Sequence, residues 1–213
     1  MSGAVVAAIA VLAAYGLGSV SGALLVGRLR GGVDIRTLGS GNAGGTNALR
    51  TQGPWFALGV IVIDLGKGWL AAAWLPVAAA RAGASQDWLP AACAFAAMVG
   101  HVWPLWHGFR GGKGAATLVG ALLALSPTAL AAVLGVWLVV AIAFGFVGLA
   151  SMIAAAALPI YVGALHVEPF VPLCLFGVAA AALVVHTHRA NIARMRAGTE
   201  PRARRLWRLG RGR

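Results

Sequence analysis

Acidic residues are nearly missing: five Asp and Glu occur among 213 residues, and only 10% of the chain is charged. With 60% hydrophobic residues, there is too little polar surface to cover a water-soluble fold of this length. A soluble domain is excluded, and a bilayer must form part of the solvent. Cysteine is also scarce. Cys93 and Cys174 both lie in apolar stretches, which excludes a disulfide framework or a thiolate metal cluster and leaves packing as their role. The few carboxylates are scattered, so neither a metal nor any other cofactor is expected. No charge precedes Arg28, so the first apolar run lacks the basic start of a leader peptide and is expected to be a retained helix.

The charge that is present is positive, a net +12. A nucleic-acid binder would set such residues among aromatics on a soluble face. Here they flank apolar runs, so membrane lipids are the expected partner and nucleic acid is not. After Lys113 neither an acidic nor a basic residue occurs until Glu168, a stretch that would reach about 80 Å as one helix. It must fold back, and Ser126-Pro127 and the Gly145 to Ser151 region are the expected breaks.

These runs predict an all-α integral membrane protein, one embedded domain over 1–213. Its polytopic bundle has about seven transmembrane helices, some short or broken, near 4–27, 55–80, 88–102, 114–127, 128–146, 150–166 and 170–187, with a basic tail over 189–213. Gly16, Gly18 and Gly22 in the first span suit close helix packing. Arg28, Arg30, Arg36, Arg50, Arg110, Lys113 and the arginines from Arg189 onward fall on one side if seven spans alternate; Arg81 falls on the other. That places the N-terminus outside and the C-terminus in the cytoplasm.

Polar residues gather in three clusters. The first runs from Gly39 through Ser40, Gly41, Asn42, Gly44, Thr46 and Asn47 to Arg50. Glycines let backbone N–H groups converge on an anion, hydroxyl and amide groups complete its hydrogen bonds, and Arg50 adds a planar fork for phosphate. The second holds Gly100, His101 and Pro104, then Gly111, Gly112, Lys113, Gly114 and Thr117. Lys113 stands where an apolar helix begins, so its ammonium and the helix's N–H groups suit the same anion. The third carries His188 and Asn191, three apart and on one face if the helix continues, followed by Arg194, Gly198 and Glu200. Asp64 and Lys67, one turn apart inside an apolar span, are expected to form an ion pair.

Together, in this order and on this hydropathy profile, the clusters resemble those of the bacterial acyl-phosphate:glycerol-3-phosphate acyltransferase family (PlsY). Its first motif, Ser-Gly-Asn-x-Gly-x-Thr-Asn-x-x-Arg, meets Ser40 to Arg50. The second, Gly-His-x-Phe-Pro followed by Gly-Gly-Lys-Gly-Val-Ala-Thr, meets Gly100 to Thr117 with Trp103 and Ala115 as departures. The third, His-Arg-x-Asn-Ile-x-Arg, meets His188 to Arg194, with Gly198 and Glu200 beyond. A further departure is Ser21, where many members have proline.

The resemblance implies acyl transfer from a fatty acyl-phosphate to sn-glycerol 3-phosphate in the bacterial plasma (inner) membrane, at a site facing the cytoplasm. On that reading Ser40, Arg50, Lys113, His188 and Asn191 are catalytic. Gly41, Asn42, Gly44, Thr46, Asn47, His101, Gly111, Gly112, Gly114 and Thr117 bind substrate. The hydroxyl proton goes to His188 or to a substrate phosphate, and Ser40 as an acylated nucleophile competes with direct transfer. An organic-phosphate transporter is the alternative function.

Overall fold

The computed structural model describes residues 1–203; the tail beyond Ala203, where several of the expected headgroup arginines fall, lies outside the described residues. Within them every regular element is helical. Two compact units divide the chain at Leu125 and Ser126.

In the first unit, α1 (Gly3–Gly18) and α2 (Gly22–Leu29) share the first apolar run but bend by 45° between Ser19 and Ser21. Three backbone and side-chain groups make the break. The Ser19 N–H closes α1 on the carbonyls of Tyr15 and Gly16, Ser21 turns extended, and its hydroxyl accepts from Leu24 N to cap α2. The expected continuous first span is therefore a broken one. A 3-10 turn (Ile35–Thr37) and α3 (Gly45–Gln52) organise the following loop. Gly53, at φ 85, then turns the chain into α4 (Pro54–Arg81), whose first residue is proline, favoured where no N–H is needed. Next come α5 (Leu89–Val102), a 3-10 turn (Leu105–His107) and α6 (Ala115–Leu125).

Glycines set the packing distances here. A Cβ at Gly18 would run into Ala97, one at Gly68 into the Thr117 carbonyl, and one at Gly120 into the Leu65 carbonyl. So α1 lies backbone to backbone on α5, and α4 on α6. Gly22 is similarly close to Val60 and Asp64, whereas nothing lies near Gly16. Two of the three glycines marked for packing serve it.

The second unit opens with α7 (Pro127–Phe144), capped by the Ser126 hydroxyl and ended by Gly145 in the left-handed conformation. It continues through α8 (Val147–Leu165), α9 (Phe170–Thr187) and α10 (Arg189–Arg196). Both expected breaks in the long neutral run thus fall where the helices change. Among the described residues five helical stretches are long and apolar enough to cross a bilayer, α5 being counted with the turn that follows it as Leu89–His107, and six if the bent α1–α2 pair counts as one span. The remaining apolar segment, α6, has 11 residues and a length of about 17 Å, short of the ~30 Å hydrocarbon. Among the described residues the seven expected apolar segments are six candidate spans at most and one short helix.

Candidate active site

Asn47, in the first turn of α3, is buried and turned back on its own loop. Its amide nitrogen donates to the carbonyls of Ile35 (2.9 Å), Leu38 (3.0 Å) and Asn42 (3.1 Å), and its oxygen accepts from Ser40 N (3.0 Å). The side chain is spent on backbone, so it shapes the segment from 35 to 47 rather than presenting a free amide. Gly39 and Gly41 make that curl with φ of 57° and 69°, a region costly for other residues. Ser40, Gly41, Thr46 and Arg50 are exposed on the result, Asn42 and Gly44 half-buried. Gly44 is the N-cap of α3.

The second motif begins at the end of α5. The N–H of Gly111 donates to Val102 O (3.1 Å) and that of Gly112 to His101 O (3.0 Å). A Cβ on Gly112 would collide with the His101 ring, and would stand 3.1 Å from the carbonyl oxygen of Ala43 in the first loop. Lys113 is half-buried, Gly114 takes φ 87°, and α6 starts at Ala115. Thr117, in the first turn of α6, is fully buried, and its hydroxyl alone among the described buried side-chain polar atoms has no hydrogen-bond partner. An orphaned hydroxyl beside such a loop asks for a ligand or water.

Arg36 ties the two loops together. Its guanidinium donates to His107 O (2.9 Å) and Arg110 O (3.3 Å) while Asp34 grips it at 2.8 Å and 3.0 Å. The hydrogen bond from Arg36 holds the Asp34 carboxyl below its usual 3.8 and raises the arginine in turn. The structure therefore brings Ser40 to Arg50 and Gly111 to Thr117 to one end of the first unit. Arg36 was not among the candidate residues; the Asp-x-Arg spacing was the only local signal, and its targets lie some seventy residues on.

Beneath these loops, Asp64 and Lys67 form the expected ion pair, 3.0 Å apart and almost wholly buried. The sequence did not reveal its other partners. Lys67 Nζ donates to Val20 O (2.7 Å), Gly22 N donates to Asp64 Oδ1 (3.2 Å), and His101 Nδ1 approaches the same oxygen at 3.4 Å.

In the second unit, His188 sits between α9 and α10 rather than inside a continuous helix. Its Nδ1 lies 2.7 Å from Val184 O; a carbonyl only accepts, so Nδ1 carries a hydrogen. Asn191 is buried, with Gly148 close against its side chain. It donates to Glu200 Oε1 (2.6 Å), whose other oxygen accepts from Arg194 Nε (2.7 Å). Glu200 and Arg194, both in the third motif but given no role from sequence, thus hold Asn191 in place.

An all-helical integral membrane protein with two cationic glycine loops tied together by Arg36 is the class these features define. The family model described as Glycerol-3-phosphate acyltransferase matches residues 8–198. A glycerol-3-phosphate acyltransferase of Synechococcus sp. (strain JA-3-3Ab) is 42% identical, covering 94% of this chain and 95% of its own. Glycerol-3-phosphate acyltransferase 2 of Moorella thermoacetica is 44% identical over 90% and 95%. A crystal structure of PlsY, an integral membrane glycerol 3-phosphate acyltransferase in its glycerol 3-phosphate form, superposes with a TM-score of 0.82 at 32% identity over 92% of this chain and 94% of that one. The chain belongs to the glycerol-3-phosphate acyltransferase (PlsY) family.

Proposed function

We propose that this chain transfers a fatty acyl group from acyl-phosphate directly to the 1-hydroxyl of sn-glycerol 3-phosphate. The hydroxyl oxygen attacks the acyl carbonyl carbon, the bond from that carbon to the phosphate oxygen breaks, and lysophosphatidate and inorganic phosphate leave. Family membership supports the acceptor and the class of reaction, and argues against the transporter alternative. The donor rests on one observation above all: two cationic glycine loops held together by Arg36, which suits two phosphates rather than one. A solved relative has been crystallised in a lysophosphatidic acid form, and the product proposed here is the same compound.

A mixed anhydride is already activated, so the protein's work is to position reactants and offset charge. Lys113, Arg50 and the N–H groups of Gly44 and Gly114 hold phosphate, while Gly41, Gly111 and Gly112, whose N–H groups donate to Leu38 O, Val102 O and His101 O, shape the loops around it. Ser40, Asn42 and Thr46 orient it, and Thr117 contributes its otherwise unpartnered hydroxyl. Asn47 and His101 serve by shaping the loops that carry these groups. His188 and Asn191 take the glycerol end. With Nδ1 committed to Val184 O, Nε2 of His188 is the atom suited to accept the hydroxyl proton; a substrate phosphate is the competing base. We place the site on the cytoplasmic face of the bacterial plasma membrane, from the distribution of Lys and Arg.

The test is an acyltransfer assay in reconstituted bilayers with acyl-phosphate, acyl-CoA and acyl-carrier-protein thioester compared. Turnover is expected with acyl-phosphate alone; equal turnover with either thioester overturns the donor assignment. Quenched-flow trapping is expected to recover no acylated Ser40, and its recovery would replace direct transfer by a two-step route.

A further inference from the structure

One buried carboxylate inside the first unit has no place in the chemistry above. Asp64 Oδ1, 1% exposed, faces three donors: Lys67 Nζ, Gly22 N and His101 Nδ1. Lys67 uses its remaining reach on Val20 O. The pair therefore bonds both sides of the α1–α2 break, a carbonyl on one side and an N–H on the other, which answers two backbone groups that an interrupted helix leaves open.

A counterion pair sealing a broken helix needs nothing from His101, yet the imidazole is the third partner, and its far edge meets the second motif. Gly112 rests against that ring so closely that a Cβ would collide with Nε2, while its N–H donates to the His101 carbonyl (3.0 Å). Gly111 is as tight against the same residue's backbone oxygen. Both glycines immediately precede Lys113. The ring is thus a wedge between a fixed carboxylate and the loop that carries the lysine; if it rotates, the loop's seat changes.

We propose that Asp64 is a positioning residue: by holding His101 Nδ1 at 3.4 Å from its Oδ1 it fixes the ring against Gly112 and so sets the place of the Lys113 ammonium. Lys67 is the counterion that lets the carboxylate stay charged among apolar helices. The proposal rests on the reading of Lys113 as a phosphate-holding group, and deepens it by naming what holds Lys113.

Two charge-neutral double variants separate this role from simple ion pairing. Asp64→Asn with Lys67→Met removes both charges but keeps a polar side-chain oxygen facing His101 Nδ1. Asp64→Leu with Lys67→Met removes the charges and that oxygen. The first is expected to keep kcat within about threefold of wild type. The second is expected to lose about tenfold or more, since a displacement of ~1 Å costs up to ~100-fold, and to fold to the same helical content. In a Lys113→Arg background the difference between the two doubles is expected to shrink, because the group being positioned has already been altered.

Equal turnover by the two doubles, whether both high or both low, overturns the proposal, as does a difference undiminished by Lys113→Arg. Should the Leu/Met double not fold, His101→Asn takes its place. It keeps a donor for Asp64 but removes the ring from Gly112, and wild-type turnover there overturns the proposal equally. Failure of the donor assignment looks different, because wild type itself would then be inactive with acyl-phosphate. The comparison would then be run with the donor that works.

Discussion

Arg36 spans from one glycine loop to the other because Asp34 grips it from behind, leaving its Nη1 to bond two carbonyls of the second loop. A half-exposed ion pair adds little stability by itself, so its worth here is orientation. Arg36→Lys keeps the charge but loses the planar fork; kcat for glycerol 3-phosphate acylation is expected to fall several-fold while circular dichroism stays unchanged. The Asp34 carboxyl titrates below 3.8 in the fold. Between that lowered value and 3.8 the unfolded chain binds a proton the folded chain does not, so stability rises with pH across this window. The contribution is complete above the window and is lost as pH falls through the folded value. Thermal melts in detergent are expected to show wild type above Asp34→Asn near neutral pH and the gap closing below about pH 4; a gap independent of pH would remove the ion pair as its cause.

Helix α6 begins one residue after Gly114 and lies backbone to backbone on α4, with Gly68 and Gly120 at the contacts. Gly68→Ala or Gly120→Ala must push α6 away, and overpacking of this kind costs about 1–3 kcal/mol. A lower melting temperature is expected together with lost turnover, since the start of α6 carries the second motif. Gly66→Ala and Gly135→Ala, where nothing lies within 4 Å, are expected to melt and turn over like wild type. The same contrast explains what could be read from sequence. Ser126-Pro127 and Gly145 end helices by local chemistry, and the sequence marks them plainly. The bend at Ser19 to Ser21 is flanked by apolar residues and secured by Asp64 and Lys67 more than forty positions away, so periodicity runs through it unbroken. The site divides likewise: glycine, serine and arginine stand out in an oily chain, but that Asn47 bonds its own loop and that His101 leans on Asp64 are products of folding.

The distribution of charge over the molecule makes a prediction about sidedness that the first unit's geometry sharpens. A Cβ on Gly3 would come 2.7 Å from the carbonyl oxygen of Gly83, so the start of α1 and the turn between α4 and α5 share one end of the unit. The loops joined by Arg36 share one end as well, and α4 runs 28 residues, about 42 Å, between its two turns. The arginines Arg28, Arg30, Arg36, Arg50 and Arg110 therefore flank one membrane face, with Arg81 at the other. By the positive-inside rule the loop face is expected to be the cytoplasmic one, as proposed above. With Cys93 and Cys174 replaced by alanine, single cysteines at the exposed positions Ser85 and Arg30 report the two faces to a membrane-impermeant maleimide. Ser85→Cys is expected to label in intact cells, and Arg30→Cys only after permeabilisation. The reverse pattern would put the glycine loops outside, away from any acyl donor made in the cytoplasm, and the proposed cytoplasmic site would fall with it.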